Sequence, residues 1–238
     1  VTTISNNQWV EATVIDIATE SPEIKTFKLK PTTLLPHVAG QHYELRLTGD
    51  DGYQAARLYS AAPVSDDPTV LCLSIQLVPT GEVTPYVHGN LAVGDTVEVR
   101  GPFGRFFVWQ PDNPAPVLLI GGGSGVIPLV AMLRAHEKSK STAKMHLIYS
   151  ARTFDDVIYK DMLLDMANTT ITLTSKTPKD WMGESGRINA ALLAKILADF
   201  PTLPTCYICG MSPFVSAMNE LLQSLGIPLS SIKTERFG

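Results

Sequence analysis

Four glycines and one serine lie between Gly121 and Gly125, followed by Val-Ile-Pro128. An apolar run enters this turn and a helical pattern leaves it. Backbone N–H groups and a helix N-terminus therefore converge where a pyrophosphate could sit, with no side chains to hold it off. Pro128 stands where G-x-G-x-x-G has its third glycine, so taken alone the turn is equally compatible with tight strand-to-helix packing. Cys206-Tyr-Ile-Cys209 has C-x-x-C spacing, the pattern of redox pairs and zinc ligands. It lies in a strand-like run, however, with no second pair and no nearby histidine. With Cys72 the cysteines number three, too few to give an iron–sulfur cluster four thiolates and odd for a disulfide scaffold. That usage points to a reducing, cytoplasmic compartment.

Folded elements must position these residues, and 238 residues suggest two compact domains of about 100–130 residues each. Short alternating runs fill the first part, at Trp9–Ile17, Ile24–Leu29, His42–Leu47, Val70–Leu77 and Thr96–Val99, parted by Gly, Pro and Asp turns. With one short helical candidate near Pro85–Leu91, they predict an antiparallel barrel or sandwich. Gln110–Pro116 then places three prolines in seven residues, which marks a linker. Beyond it the rhythm changes. Val117–Gly121, Met145–Ser150, Thr169–Ser175 and Cys206–Cys209 read as strands. Ile127–Lys138, Asp156–Ala167, Asn189–Asp199 and Pro213–Ser224 read as helices, with Asn189 and Gly226 at caps. Over Asp156–Ala167, Tyr159, Met162, Leu163 and Met166 share one helical face. This alternation predicts a doubly wound α/β fold on a parallel sheet. The expected division is residues 1–112 and residues 113–238.

Composition closes off other classes. At 45% hydrophobic and 18% charged residues the chain fits a globular protein, and its longest apolar runs are of strand length, so no transmembrane span is expected. Val1-Thr-Thr-Ile-Ser lacks the basic and apolar regions of a leader, although a chain beginning without Met leaves open one already removed. A net charge of −4 offers nucleic acid no general attraction.

Several motifs follow one another in order: Arg57-Leu-Tyr-Ser60, Gly81-Glu-Val-Thr84, Gly101-Pro-Phe-Gly104, Gly121–Pro128, Cys209-Gly210 and Thr234-Glu-Arg-Phe-Gly238. The ordered set resembles the ferredoxin–NADP reductase superfamily, most closely its compact bacterial members, among them the reductase modules of multicomponent oxygenases. The resemblance spans essentially the whole chain. It implies an antiparallel FAD-binding β-barrel, then an NAD(P)-binding α/β domain whose C-terminal tail covers the flavin.

By that resemblance Arg57 and Leu58 lie on the strand that holds the flavin, with the Arg57 guanidinium paired to its pyrophosphate. Tyr59 lays its ring against the isoalloxazine, and Ser60 hydrogen-bonds near flavin N5. Ile75, Gln76 and Leu77 offer backbone contacts, while Glu82, Val83 and Thr84 open a short helix facing the phosphates. Gly122, Gly123 and Gly125 match the nucleotide pyrophosphate loop. Cys209 and Gly210 match the strand end beside the nicotinamide, with Met211 where the family usually has proline. Phe237 is implied to cover the flavin face opposite Tyr59 and to gate the nicotinamide, and Glu235 to help proton movement. Ser60, Cys209, Glu235 and Phe237 are thus the implied catalytic residues. Singly, each has a plainer reading: a surface arginine, a core aromatic, a turn hydroxyl, a packed cysteine, a frayed tail.

Ser150, Arg152, Ser175 and Lys176 fall at strand C-termini, where doubly wound sheets bind ligands, and their hydroxyls and cations suit a 2′-phosphate. Members that prefer NADH tend to carry an acid near the position of Ser175 and Lys176, and none stands there. NADPH is therefore the favoured donor, with NADH possible. Arg187 suits either the phosphate or the surface. The implied cycle moves a hydride from NADPH to flavin N5 and releases electrons to a separate carrier, a ferredoxin or flavodoxin, or to a downstream oxygenase. The chain itself is expected to be a monomer. Three alternatives stand beside this: an NAD(P)H:flavin reductase that releases reduced flavin, a reductase module cut from a longer electron-transfer chain, and a non-catalytic nucleotide-sensing module. The last would be expected to have lost Tyr59, Ser60 or Cys209, and all three are present.

Overall fold

The computed structural model describes residues 5–33, 36–63, 65 and 67–237. Residues 1–4, on which most of the leader argument rests, and Gly238 of the last motif lie outside the described residues. In the first half, alternating sequence makes strands β1 (Val10–Ser21), β2 (Ile24–Pro31), β3 (His42–Thr48), β4 (Gln54–Ser60), β5 (Leu71–Gln76) and β6 (Thr96–Phe103), with helix α1 (Val83–Gly89) between the last two. They form one antiparallel sheet in the order β4-β3-β6-β1-β2-β5. Just past β4, Ala61 bridges to Leu73 of β5 and the Ala62 N–H donates to the Cys72 carbonyl at 2.9 Å. The two edge strands thereby meet, and the sheet curls into a barrel.

Alternation sorts the barrel's faces. Tyr43 and Leu45 of β3 point into a core with Phe27, Leu29, Leu73 and Val99. Between them, Glu44 and Arg46 face out and pair with Arg100 at 2.6 Å and Glu98 at 2.7 Å. The Trp9 ring centroid lies 4.2 and 4.5 Å from the Arg46 and Arg100 guanidinium carbons, which holds Trp9 to that face.

The second half builds strands β7 (Val117–Gly122), β8 (Met145–Thr153), β9 (Thr169–Lys176), β10 (Glu184–Ser185), β11 (Thr205–Met211) and β12 (Ile232–Phe237). Helices α2 (Val126–Ser139), α3 (Lys160–Leu164), α4 (Ala190–Leu197) and α5 (Ser212–Ser224) alternate with them. The sheet is parallel throughout, in the order β10-β9-β8-β7-β11-β12. Successive β7 residues point to opposite faces, so the whole run must be apolar. Leu119 meets the core containing α2 and also Phe107 and Trp109, which follow β6 just before the linker. Leu118 and Ile120 meet the core of α4 and α5. Among the described residues no helix is long and apolar enough to cross a membrane.

Two expectations change. The helix expected over Asp156–Ala167 is only Lys160–Leu164. Thr153 and Asp156 instead close a capping box around a short 3-10 turn, with Asp156 Oδ2 accepting from the Thr153 N–H at 3.0 Å and its hydroxyl at 2.8 Å. Tyr159 then takes φ 54 and ψ 33, a left-handed conformation that no helix interior accommodates. Its side chain, with Met162 and Met166, still packs on the core that buries Leu163. The second change is β10, a two-residue edge strand too short for any sequence period to announce.

Candidate active site

From β7 the chain moves outward through β8 and β9, then returns to place β11 and β12 on the other side. Loops on either side of such a reversal leave in opposite directions, so a crevice opens at the C-terminal ends of β7 and β11. Glycines make that junction possible. A Cβ on Gly125 would lie 2.3 Å from the Cys209 carbonyl oxygen, and one on Gly122 or Gly210 would lie 2.9 Å from the Phe214 ring. Gly123 differs: its φ is +57 and a Cβ there would meet nothing within 4 Å. Gly122, Gly125 and Gly210 thus serve packing, while Gly123 bares its backbone to open space just before α2.

The barrel supplies the opposite wall. A cleft of about 600 Å³ is lined by Arg57, Leu58, Tyr59 and Ser60 of β4, by Glu82, Val83 and Thr84 at α1, and by Ser124, Met211, Glu235 and Phe237 of the second half. Arg57 Nη2 donates to Glu82 Oε2 at 3.1 Å, and the Tyr53 hydroxyl donates to Glu82 Oε1 at 2.5 Å. Thr84 staples its own loop, its hydroxyl donating to the Val78 carbonyl at 3.2 Å and accepting from the Val78 N–H at 2.9 Å. Burial pushes the Tyr59 phenol up to about 12, and its oxygen has no hydrogen-bond partner. Ile75 is fully buried in the barrel core and its carbonyl lies 2.9 Å from His88 Nε2. The Leu77 N–H donates to the Glu23 carbonyl at 2.7 Å. Gln76 does reach the cleft, where its Oε1 accepts from the Ser124 hydroxyl at 2.7 Å.

Strand β12 closes the site. Its register sets Glu235 beside Cys209 and Phe237 beside Met211. Cys209 is 1% exposed, and burial, then Glu235, pushes its thiol well up. Glu235 lines the cleft with Oε2 unpartnered and Oε1 3.8 Å from His42 Nδ1. Burial raises its carboxyl to about 7 and lowers the His42 imidazole, which leaves that ring neutral and of little help to a charged carboxylate.

A second cleft, of about 460 Å³, shares Gln76, Ser124, Met211 and Phe237 with the first and continues past Gly122 and Gly123 to Ser150, Arg152, Thr174 and Arg187. Arg152 donates to Glu23 Oε1 at 3.1 Å and lies 3.6 Å from Asp156. Ser175 and Lys176 are exposed and stand outside both linings. Sequence reasoning missed His42, Ser124, Thr174 and Phe214. Ser124 had a visible signal, being the one hydroxyl inside the glycine turn; the others come together only through sheet order.

Residues 11–108 match the family described as the oxidoreductase FAD-binding domain, and residues 119–220 the oxidoreductase NAD-binding domain. The chain is 33% identical over 212 residues to ferredoxin–NADP reductase B of Sorangium cellulosum, covering 84% of each. It is 32% identical over 196 residues to the glycine betaine monooxygenase reductase subunit of Pseudomonas aeruginosa, covering 79% of this chain and 53% of that one. It therefore spans 84% of one relative and about half of the other. Among solved structures, the ferredoxin reductase in carbazole 1,9a-dioxygenase superposes with a TM-score of 0.82 at 26% identity, over 97% of this chain and 70% of that one.

Proposed function

The chain belongs to the ferredoxin–NADP reductase family of FAD- and NAD(P)-binding oxidoreductases, and we propose that it oxidises NADPH, or NADH, on an FAD in the barrel cleft and hands the electrons to a separate carrier such as ferredoxin or flavodoxin. One observation carries this reading. The two clefts are continuous through Gln76, Ser124, Met211 and Phe237, so a ligand on the barrel wall and a ligand on the glycine turn meet at the same four residues.

The residues present fit a flavin nucleotide. Tyr59 Oη and Glu235 Oε2 are buried at the cleft without partners, and such atoms call for a polar ligand or water. Tyr59 and Phe237 offer aromatic surface to a flat ring system. Arg57, the start of α1 and the open backbone at Gly123 suit an anion. When bound, FAD supplies the redox chemistry, accepting a hydride's two electrons at N5 and releasing them singly.

The protein's own contribution is binding, orientation and proton handling. Arg57 would hold the flavin pyrophosphate by exchanging Glu82 for the anion. Tyr59 and Phe237 would exclude water from the ring, and Phe237 must move for the nicotinamide to enter. Ser60 would orient the reacting edge. Glu235, half-protonated near neutrality, can hold or release a proton at its free Oε2. Gly123, Ser150, Thr174 and Arg187 would bind the nucleotide donor, with Arg187 the cation available for a 2′-phosphate. Cofactor retention and turnover test the reading together. The protein should stay yellow through gel filtration and reduce ferricyanide with NADPH; loss of flavin on the column with continued turnover in added flavin would favour the flavin-reductase alternative instead.

A further inference from the structure

Tyr159 combines a left-handed backbone, φ 54 and ψ 33, with a side chain partly buried against the core. A residue with a Cβ takes that conformation at a cost, and here the polar groups that hold it belong to the other half of the chain. The Tyr159 N–H donates to Glu20 Oε2 at 3.2 Å, and its hydroxyl lies 2.6 Å from Ser74 Oγ. Ser74 Oγ lies 2.6 Å from Thr26 Oγ1, which donates to Glu20 Oε1 at 2.8 Å. Glu20, Thr26 and Ser74 come from β1, β2 and β5 of the barrel, so the four residues close a ring across the boundary between the two sheets.

Proton order in the ring is forced. A carboxylate only accepts, and each hydroxyl has one proton to give. Thr26 gives its proton to Glu20, so it accepts from Ser74; Ser74 therefore accepts from Tyr159. The dipoles run head to tail onto the carboxylate, and each bond polarises the next. Thr26 and Ser74 are 7% and 3% exposed, so water does not compete for the bonds.

The segment that ends at Tyr159 begins at the C-terminal end of β8 and carries Ser150, Arg152 and Asp156 of the nucleotide-side cleft. Among the described residues, polar contacts fasten it to the barrel at two places, by the exposed Arg152 on Glu23 at 3.1 Å and by the ring, beside apolar packing of Ala151, Val157 and Ile158 on Ile24 and Cys72. Ser74 itself lines the other cleft. We propose that Tyr159 is a positioning residue, whose hydroxyl chain sets residues 150–156 against the barrel and so fixes the separation across which the nicotinamide gives up its electrons. The inference rests on the reading of the two clefts given above.

Tyr159→Phe keeps the aromatic packing and removes only the proton that starts the chain. In the protein without added cofactor, hydrogen–deuterium exchange should quicken in residues 150–160 while β3 and β6 stay unchanged. With FAD bound, stopped-flow reduction at saturating NADPH should slow about tenfold, as expected for a small misplacement of reactants, with KM for NADPH moving less than about twofold. Thr26→Val, at the far end of the chain, should produce the same slowing, and the double variant no more than either alone, because the bonds act as a unit. Unchanged exchange, an unchanged reduction rate beside a lowered melting temperature, or slowing that multiplies in the double variant overturns the proposal. A chain that takes no electrons from NADPH defeats the proposed function instead, and the exchange experiment still decides the ring.

Discussion

Replacing Glu235 with glutamine should remove a pH dependence that burial writes into the stability of the protein. The Glu235 side chain is 26% exposed, one oxygen is unpartnered, and burial lifts its carboxyl from 4.5 to about 7. Below about pH 4.5 the folded and unfolded chains both hold the proton, and burial costs nothing through this group. Between about 4.5 and 7 the unfolded chain ionises while the folded one keeps its proton, so stability falls as pH rises. Above that the full cost persists. The rise from 4.5 to about 7 corresponds to about 3 kcal/mol. Glu235→Gln is uncharged throughout. It should match wild type near pH 4 and exceed it by about 3 kcal/mol near pH 8, or roughly 6–12 °C in melting temperature for a chain of this size. Unfolding both proteins by urea and by heat across that range, without cofactor, measures the gap. His37, His88 and His146, whose pKa values burial lowers, lose stability as pH falls, the opposite slope. They are common to both proteins and cancel in the difference. Parallel stability curves for the two proteins, with no widening as pH rises, would refute the reasoning.

Other outcomes follow from the same geometry. Gly123→Ala should cost roughly 1 kcal/mol of backbone strain and raise KM for the nucleotide, because its methyl enters open cleft. Gly125→Ala, whose methyl would fall 2.3 Å from the Cys209 oxygen, should lower the melting temperature far more. Arg187→Ala should raise KM for NADPH about tenfold and leave KM for NADH unchanged, as expected on removing one charge-assisted phosphate contact, whereas Lys176→Ala should change neither; steady-state kinetics with both nucleotides checks this. Glu82→Gln should free Arg57 for the flavin and slow FAD loss on gel filtration. Because Arg57 and Glu82 are both exposed, the gain should stay within about 0.2–1 kcal/mol.

Much of this fold could be read from the sequence, and where it could not, particular residues explain why. Strand β3 announced itself because Tyr43 and Leu45 are buried while Glu44 and Arg46 reach water. Strand β4 gave no alternation because one side faces the cleft: no residue from Gln54 to Ser60 is fully buried, and only the family resemblance located it. The helix before Ala167 shrank because side-chain bonds between Thr153 and Asp156, and a left-handed Tyr159, override helix propensity locally. At the glycine turn the choice between packing and phosphate binding was open in the sequence; the fold divides it, with Gly122 and Gly125 against neighbours and Gly123 against open space. Lys176 stands at a strand end and Arg187 suits either the phosphate or the surface by sequence; the strand pleat and the return from β10 bring Thr174 and Arg187 to the cleft and leave Lys176 outside it. The ring of Glu20, Thr26, Ser74 and Tyr159 had no local signal at all, since it is made by sheet order and by the docking of one half on the other.

Anaerobic titration of the purified, FAD-loaded protein with NADPH, followed by visible absorption, bears on the meeting of the two clefts more immediately than any variant. Flavin absorption should bleach stoichiometrically on adding NADPH and return on adding an oxidised ferredoxin or flavodoxin. Protein that stays colourless when supplied with FAD, or whose yellow persists in excess NADPH and excess NADH, would contradict it.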